Sequence, residues 1–124
     1  MRGRRLLDSF GYAWAGIAYA ARNEPNLRVH LLISVGVVAL GVWLGITALD
    51  WAVLALTIGF VLACELLNTG LEELVDLVSP EQSARAKAVK DTAAGAVMLA
   101  AVVSVVVGLL ILGPPLWIRL FTSR

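Results

Sequence analysis

The chain has 124 residues, 60% of them hydrophobic and only 15% charged, with a formal net charge of +1. A small soluble domain spends about a quarter of its residues on charge, so this composition and a mean hydropathy of +0.86 exclude a water-soluble enzyme and leave acyl chains as the cover for most of the surface. Ten Lys and Arg against nine Asp and Glu carry no polyanion signature, and one cysteine, Cys64, rules out an intrachain disulfide. Set in an apolar run, Cys64 reads as a buried, inert thiol.

The first element predicted is a helix over about 4–22. Met1-Arg-Gly-Arg-Arg followed by apolar residues and Ala18-Tyr-Ala20 imitates a signal peptide. Asp8 breaks the apolar core, however, and Leu6, Leu7, Phe10, Trp14, Ile17 and Ala21 recur at helical spacing. That pattern predicts an amphipathic surface helix lying in the membrane interface. Pro25 then forces a break and pushes Glu24 out of the helical region, because proline lacks an N–H and crowds the residue before it.

Three spans follow, over about 29–48, 51–78 and 92–112. Leu31 to Leu49 and Thr92 to Leu112 contain no charge, each close to the about 20 residues that a helix needs to cross the hydrocarbon. The short connection ending at Asp50 makes the first two spans an antiparallel hairpin, with Asp50 and Trp51 at an interface. Ser79-Pro80-Glu81-Gln82 reads as a capping box, which predicts that the third helix starts near Pro80. Gly41-x-x-x-Gly45 and Ala93-Ala94-Gly95-Ala96 allow close helix contacts. Arg2, Arg4, Arg5, Arg22, Arg28, Arg85, Lys87 and Lys90 fall on one side and Arg119 and Arg124 on the other. By the positive-inside rule the N-terminus and the middle loop are cytoplasmic, and Pro114-Pro115 carries the tail out on the far side.

The second span is clean only in its first half, since Glu65, Asn68, Glu72, Glu73 and Asp76 interrupt the rest. At about 100° per residue, Glu65, Asn68, Glu72 and Asp76 share one face, with Glu73 at its edge. A charge inside a span costs about 2.5–3.5 kcal/mol on insertion scales and needs a partner. Glu73 and Asp76, nearest the helix exit, are explained by solvation or by pairing with Lys and Arg. Glu65, preceded by an uncharged run from Trp51, is not. Phosphoryl transfer fits the set, because it needs carboxylates for Mg²⁺, a cation on the phosphates and a base for the attacking hydroxyl. Glu24 and Glu72 are candidate metal ligands, Lys90 a candidate phosphate partner and Glu65 the candidate base for a lipid alcohol. A proton or ion pathway, or a structural subunit whose acids line an oligomer axis, uses the same stripe and stays open at this point. Walker and protein-kinase motifs are absent.

Glu65-Leu-Leu-Asn68-Thr-Gly-Leu-Glu72-x-x-x-Asp76, together with Ala86-Lys-Ala-Val-Lys90-Asp91-x-Ala-Ala-Gly95, resembles the signature of the small bacterial membrane kinases that include diacylglycerol kinase and the undecaprenol kinase of Gram-positive bacteria. The resemblance runs from Gly11-Tyr12 through Asn23-Glu24 to the third span. It implies an all-α integral membrane fold, a surface helix plus three spans in one domain over 1–124, assembled as a homotrimer with composite sites at the cytoplasmic face of a bacterial plasma membrane. It implies Glu65 as catalytic base at the lipid, Glu24 and Glu72 as Mg²⁺ ligands, and Arg5, Tyr12, Glu24, Asn68, Glu72, Lys90 and Asp91 around ATP. The roles of Arg5 and Tyr12 rest on the resemblance alone; Tyr12 reads equally as an interface aromatic and Arg5 as a lipid-phosphate anchor.

The Lys87-x-x-Lys90-Asp91 form, and His30 where the Gram-negative enzymes carry an acid, are similar to the undecaprenol kinase branch. Undecaprenol is therefore the expected acceptor, with diacylglycerol the alternative. His30 is otherwise read as a satisfied or interfacial histidine.

Overall fold

The computed structural model describes the backbone of residues 2–122 and the side chains of residues 5–122. Arg2, Arg4 and Arg124, counted above for orientation, lie outside the described side chains. Four helices follow one another: α1 (Arg2–Asn23), α2 (Pro25–Leu44), α3 (Ala48–Val78) and α4 (Ala84–Phe121). The last three are long and apolar enough to cross a membrane, so the all-α, three-span expectation stands.

Each boundary has a local cause. Glu24 is extended, at φ −108° and ψ 106°, and Pro25 opens α2 at a position where no N–H is needed. Ala20 and Leu27, both 2% exposed, close the corner between α1 and α2. At the far end of α2 the chain turns through Gly45, whose φ of 65° is left-handed and suits glycine. Its N–H bonds Val42 O and the Ile46 N–H bonds Gly41 O, a Schellman closure of the helix. Thr47 then caps α3: its hydroxyl accepts from Asp50 N while the Asp50 carboxylate accepts from Thr47 N, both at 3.2 Å. Asp50 thus serves a capping box that the sequence reading did not assign.

Two expected boundaries are corrected. The capping box proposed at Ser79 does not form. Ser79 closes α3 by giving its N–H to Val75 O at 2.8 Å, and its hydroxyl donates to Glu81 O at 2.9 Å. Ser83 starts α4 instead, accepting from Ala86 N at 3.1 Å. Proline at position 80 holds residue 79 out of the helical region, so the serine ends one helix and the next available hydroxyl opens the other. The second correction is at Pro114-Pro115, which lies inside α4. Gly113 precedes the pair and has no Cβ to crowd the proline ring, and the helix carries on to Phe121.

The three long helices run antiparallel in sequence. Gly41 of α2 meets Trp51 of α3 at one end and His30 meets Glu65 toward the other; α3 and α4 are joined at their charged ends by Asp76 and Lys90. Lipid offers no hydrophobic drive between helices, so close packing of small residues carries association. Gly41, Ala86 and Ala100 are buried at such contacts. A Cβ at Gly41 would stand 2.8 Å from Trp51 Cη2. Gly45 and Gly95, the other small residues singled out in the sequence, have open space around them. Cys64 is half-buried rather than buried, and free. At the C-terminal end the Arg119 guanidinium lies 4.8 Å from the centre of the Trp43 ring, a cation–π contact.

Candidate active site

The acidic residues of α3 lie along one helix, yet they do not act as one cluster. Glu65 turns to α2, Glu73 to α1 and Asp76 to α4, while Glu72 keeps a partner on its own helix.

Glu65 is 3% exposed, and its Oε1 lies 3.1 Å from His30 Nε2. One turn on, buried Thr69 donates its hydroxyl back to the Glu65 carbonyl at 3.0 Å, which satisfies a polar group that has no water. Asn68 donates its amide to Glu72 Oε1 at 3.2 Å. Its other end, Oδ1, is buried without a hydrogen-bond partner. Tyr19 donates its phenol to Glu73 Oε1 at 2.6 Å. That bond to a carboxylate, aided by desolvation and by the nearby Glu24 charge, holds the phenol above its ordinary titration range. Lys90 Nζ is 2.5 Å from Asp76 Oδ1, so the ion-pair reading of Asp76 is met.

Glu24, at the bend between α1 and α2, lies within electrostatic range of Glu65, as does Glu72. Its side chain does not cap α2. Asp91 is exposed and pairs with Lys87 one turn earlier on its own helix. The Tyr12 side chain is 77% exposed; with Gly16, Tyr19, Thr69 and Glu73 it lines a hollow between α1 and α3. The Arg5 side chain is exposed, and its carbonyl accepts from Ser9 Oγ at 2.7 Å. Within one chain Glu24 and Glu72 lie within electrostatic range of Glu65, Asn68 bonds Glu72, Lys90 pairs with Asp76 and Asp91 with Lys87.

Among the described residues no three His, Cys, Asp or Glu side chains converge as a metal cage. Mg²⁺ does not require one: it keeps its waters and takes one or two carboxylates together with substrate phosphates. Glu24 and Glu72 supply that number of hard oxygens. The orphan Asn68 Oδ1 beside Glu72 is an acceptor suited to a metal-bound water or a nucleotide donor. The residues present fit a cation that arrives with its phosphates.

An apolar groove of about 320 Å³ opens from the His30 end. Ile33, Val37 and Leu40 of α2, Leu54 and Val61 of α3 and Leu112 of α4 line it. From His30 to Leu40 it follows about 15 Å of helix, at about 1.5 Å per residue. His30 lines the groove, and the buried Glu65 meets it only through its contact with His30.

His30 and Tyr19 are the two site residues that the sequence reading did not assign. The available signal for His30 was its place, as a titratable side chain immediately before the uncharged run that starts at Leu31. Tyr19 offered none, since its partner is 54 positions away.

A family model described as prokaryotic diacylglycerol kinase matches residues 11–112. The diacylglycerol kinase of Synechocystis sp. is 49% identical over 112 residues, which cover 90% of this chain and 64% of that protein, so the chain spans a little under two thirds of this relative's length. The undecaprenol kinase of Bacillus subtilis is 40% identical over 112 residues, 90% of this chain and 91% of that protein. The diacylglycerol kinase of Escherichia coli is 28% identical over 102 residues, 82% of this chain and 84% of that protein. The matched segment takes in Tyr12, Glu24 and everything from the buried carboxylate to Asp91, and the chain belongs to the prokaryotic diacylglycerol kinase family.

Proposed function

We propose that this chain phosphorylates a membrane lipid alcohol with ATP, and that undecaprenol is the alcohol. The observation that carries the reading is the buried Glu65 in contact with His30, the residue that lines one end of an apolar groove. A carboxylate there is expensive unless it has a task, and general-base contact with a hydroxyl whose hydrocarbon fills the groove is such a task. Counted from Ala48, about 20 residues cross the hydrocarbon, which sets Glu65 at its edge and Glu72, Glu73 and Asp76 among the head groups. The acceptor then stays in lipid while the nucleotide stays in water. The charge asymmetry supports a topology with this end and the N-terminus in the cytoplasm of a bacterial cell and the C-terminus outside.

In the transfer, the lipid oxygen bonds the γ-phosphorus as the bond to the bridging oxygen breaks and its electron pair leaves with ADP. The hydroxyl proton passes to Glu65. Glu24 and Glu72 would hold Mg²⁺, which neutralises phosphate charge when bound. Lys90 exchanges Asp76 for phosphate oxygens, and Asn68 Oδ1 accepts from the nucleotide or its water. Arg5, Tyr12 and Asp91 complete the nucleotide site across a homotrimer, a reading that rests on the family resemblance.

Undecaprenol is favoured by the Lys87-x-x-Lys90-Asp91 form, by His30 and by the name of the 40% identical Bacillus relative. Diacylglycerol is the second reading, favoured by the name of the 49% identical relative. Transfer of labelled γ-phosphate by the purified protein in mixed micelles, run on both lipids with and without EDTA, tests it. Metal-dependent labelling of undecaprenol is the expected result. Labelling mainly of diacylglycerol reverses the acceptor, and labelling of neither overturns the kinase reading.

A further inference from the structure

Glu65 is nearly sealed from water, with its side chain 4% exposed, while the His30 side chain is 22% exposed and lines the groove. Three groups act on the Glu65 charge: Glu24 and Glu72, which carry the same sign, and His30, which when protonated carries the opposite one. A buried carboxylate left with two like-charged neighbours and no counterpart is strongly unfavourable. His30 Nε2, 3.1 Å from Oε1, is the nitrogen that meets it. The terminal torsion of a glutamate is broad and roughly two-fold, so an unheld carboxylate spreads its two oxygens over many orientations. A base that must meet an incoming hydroxyl at hydrogen-bond distance loses rate when it wanders.

The histidine is itself well placed to do the holding. It stands near the start of α2, less than two turns after the bend at Glu24. Its carbonyl accepts the Ser34 hydroxyl at 2.7 Å, one turn further along the groove wall. The same imidazole therefore touches the candidate base and borders the space in which the acceptor chain would lie.

We propose that His30 is a positioning residue for phosphoryl transfer: by holding Oε1 of Glu65 it fixes the carboxylate plane and leaves Oε2 for the hydroxyl of the lipid in the groove. The inference rests on the lipid-kinase reading above and deepens it. His30 takes no part in bond making; the proton still goes to Glu65 and the electron pair to ADP.

The test uses the full chain in mixed micelles with Mg²⁺-ATP and whichever of the two lipids the wild type labels, comparing His30→Ala, His30→Gln and His30→Asn. Glutamine places its Nε2 the same number of bonds from Cα as histidine does, whereas asparagine is one bond short. His30→Ala is expected to lower kcat by about 10–100-fold, the range that misplacement of a reacting group produces, with the KM for ATP within about twofold of wild type. His30→Gln is expected to recover most of the lost rate and His30→Asn little of it. Circular dichroism and thermal midpoints in detergent separate these effects from misfolding, and the comparison of glutamine with asparagine stands even if the alanine variant does not fold. A labelling wild type whose His30→Ala variant keeps its kcat overturns the inference alone, as do glutamine and asparagine variants of equal rate. A folded wild type that labels neither lipid overturns the kinase reading and this inference with it.

Discussion

Replacing Glu65 by glutamine separates chemistry from folding at this site. The side chains have the same shape, and glutamine keeps one acceptor oxygen that can remain toward His30. What is lost is the proton acceptor. General-base assistance contributes about 10²–10⁴ in rate, so Glu65→Gln is expected to lower kcat by that factor, equivalent to about 2.7–5.4 kcal/mol of barrier at about 1.36 kcal/mol per decade. Stability should move the other way or not at all. The carboxylate is 3% exposed, and a neutral isostere removes the desolvation penalty of a buried charge along with its attraction to His30, whose side chain is 22% exposed and so is not left as a sealed, unpaired charge. Labelled phosphate transfer gives the rate, and thermal unfolding in the same micelles gives the stability. A variant that keeps more than about a tenth of the wild-type kcat refutes the base assignment. One that melts well below wild type refutes the view that the buried charge is held for function at a cost in stability.

Glu72→Gln is expected to raise the Mg²⁺ concentration for half-maximal rate by about tenfold, about 1.4 kcal/mol of lost ligation; an unchanged metal titration removes Glu72 from the cation site. Gly41→Val brings a side chain into the space where even a Cβ stands 2.8 Å from Trp51 and 3.1 Å from Ile46. The overpacking should cost about 1–3 kcal/mol, read as a lowered melting midpoint with altered tryptophan fluorescence, and an unchanged midpoint would show that α2 and α3 part freely there. Tyr19 titrates above its ordinary value of 10.0 because its hydrogen bond to Glu73 favours the neutral phenol. The stability this contributes is fully present below about pH 10 and lost as pH rises through the folded-state value. Glu73→Gln should bring the ultraviolet phenolate transition to lower pH, and a transition that stays in place would contradict the bond.

Much of this molecule was legible in its residues because the signals were local. Pro25 dictates the break at Glu24, the uncharged runs set the number of spans, and about 100° per residue puts Glu65, Asn68 and Glu72 on one face. The competition between caps was harder to read. Ser79 and Ser83 offer the same hydroxyl, and the choice was made by α3, whose last turn claims the Ser79 N–H. Thr47 and Asp50 formed a box that uses aspartate where glutamate or glutamine is the usual signature. In the sequence Pro114 and Pro115 read only as part of the emerging tail, and the helix passes through them. The partners of the acids were not legible at all. His30 and Glu65 meet because α2 and α3 pack antiparallel in one register, and Tyr19 reaches Glu73 because α1 folds back at Pro25. Periodicity along a single helix contains neither fact.

The ion pair between Lys90 and Asp76 has a consequence for how a charged ligand arrives. If Lys90 binds phosphate as proposed, its ammonium is already paired before any nucleotide comes, and that binding is an exchange of anions rather than the filling of a bare positive site. The released Asp76 carboxylate then returns to solvent at the exposed end of α3. Such an exchange changes the local charge by less than simple addition would, which lets a multiply charged guest approach a helix that already carries four acidic side chains between Glu65 and Asp76. The opposite end of the bundle is held by Trp51 on Gly41 and Arg119 on Trp43, contacts that share no residue with the pair at Lys90.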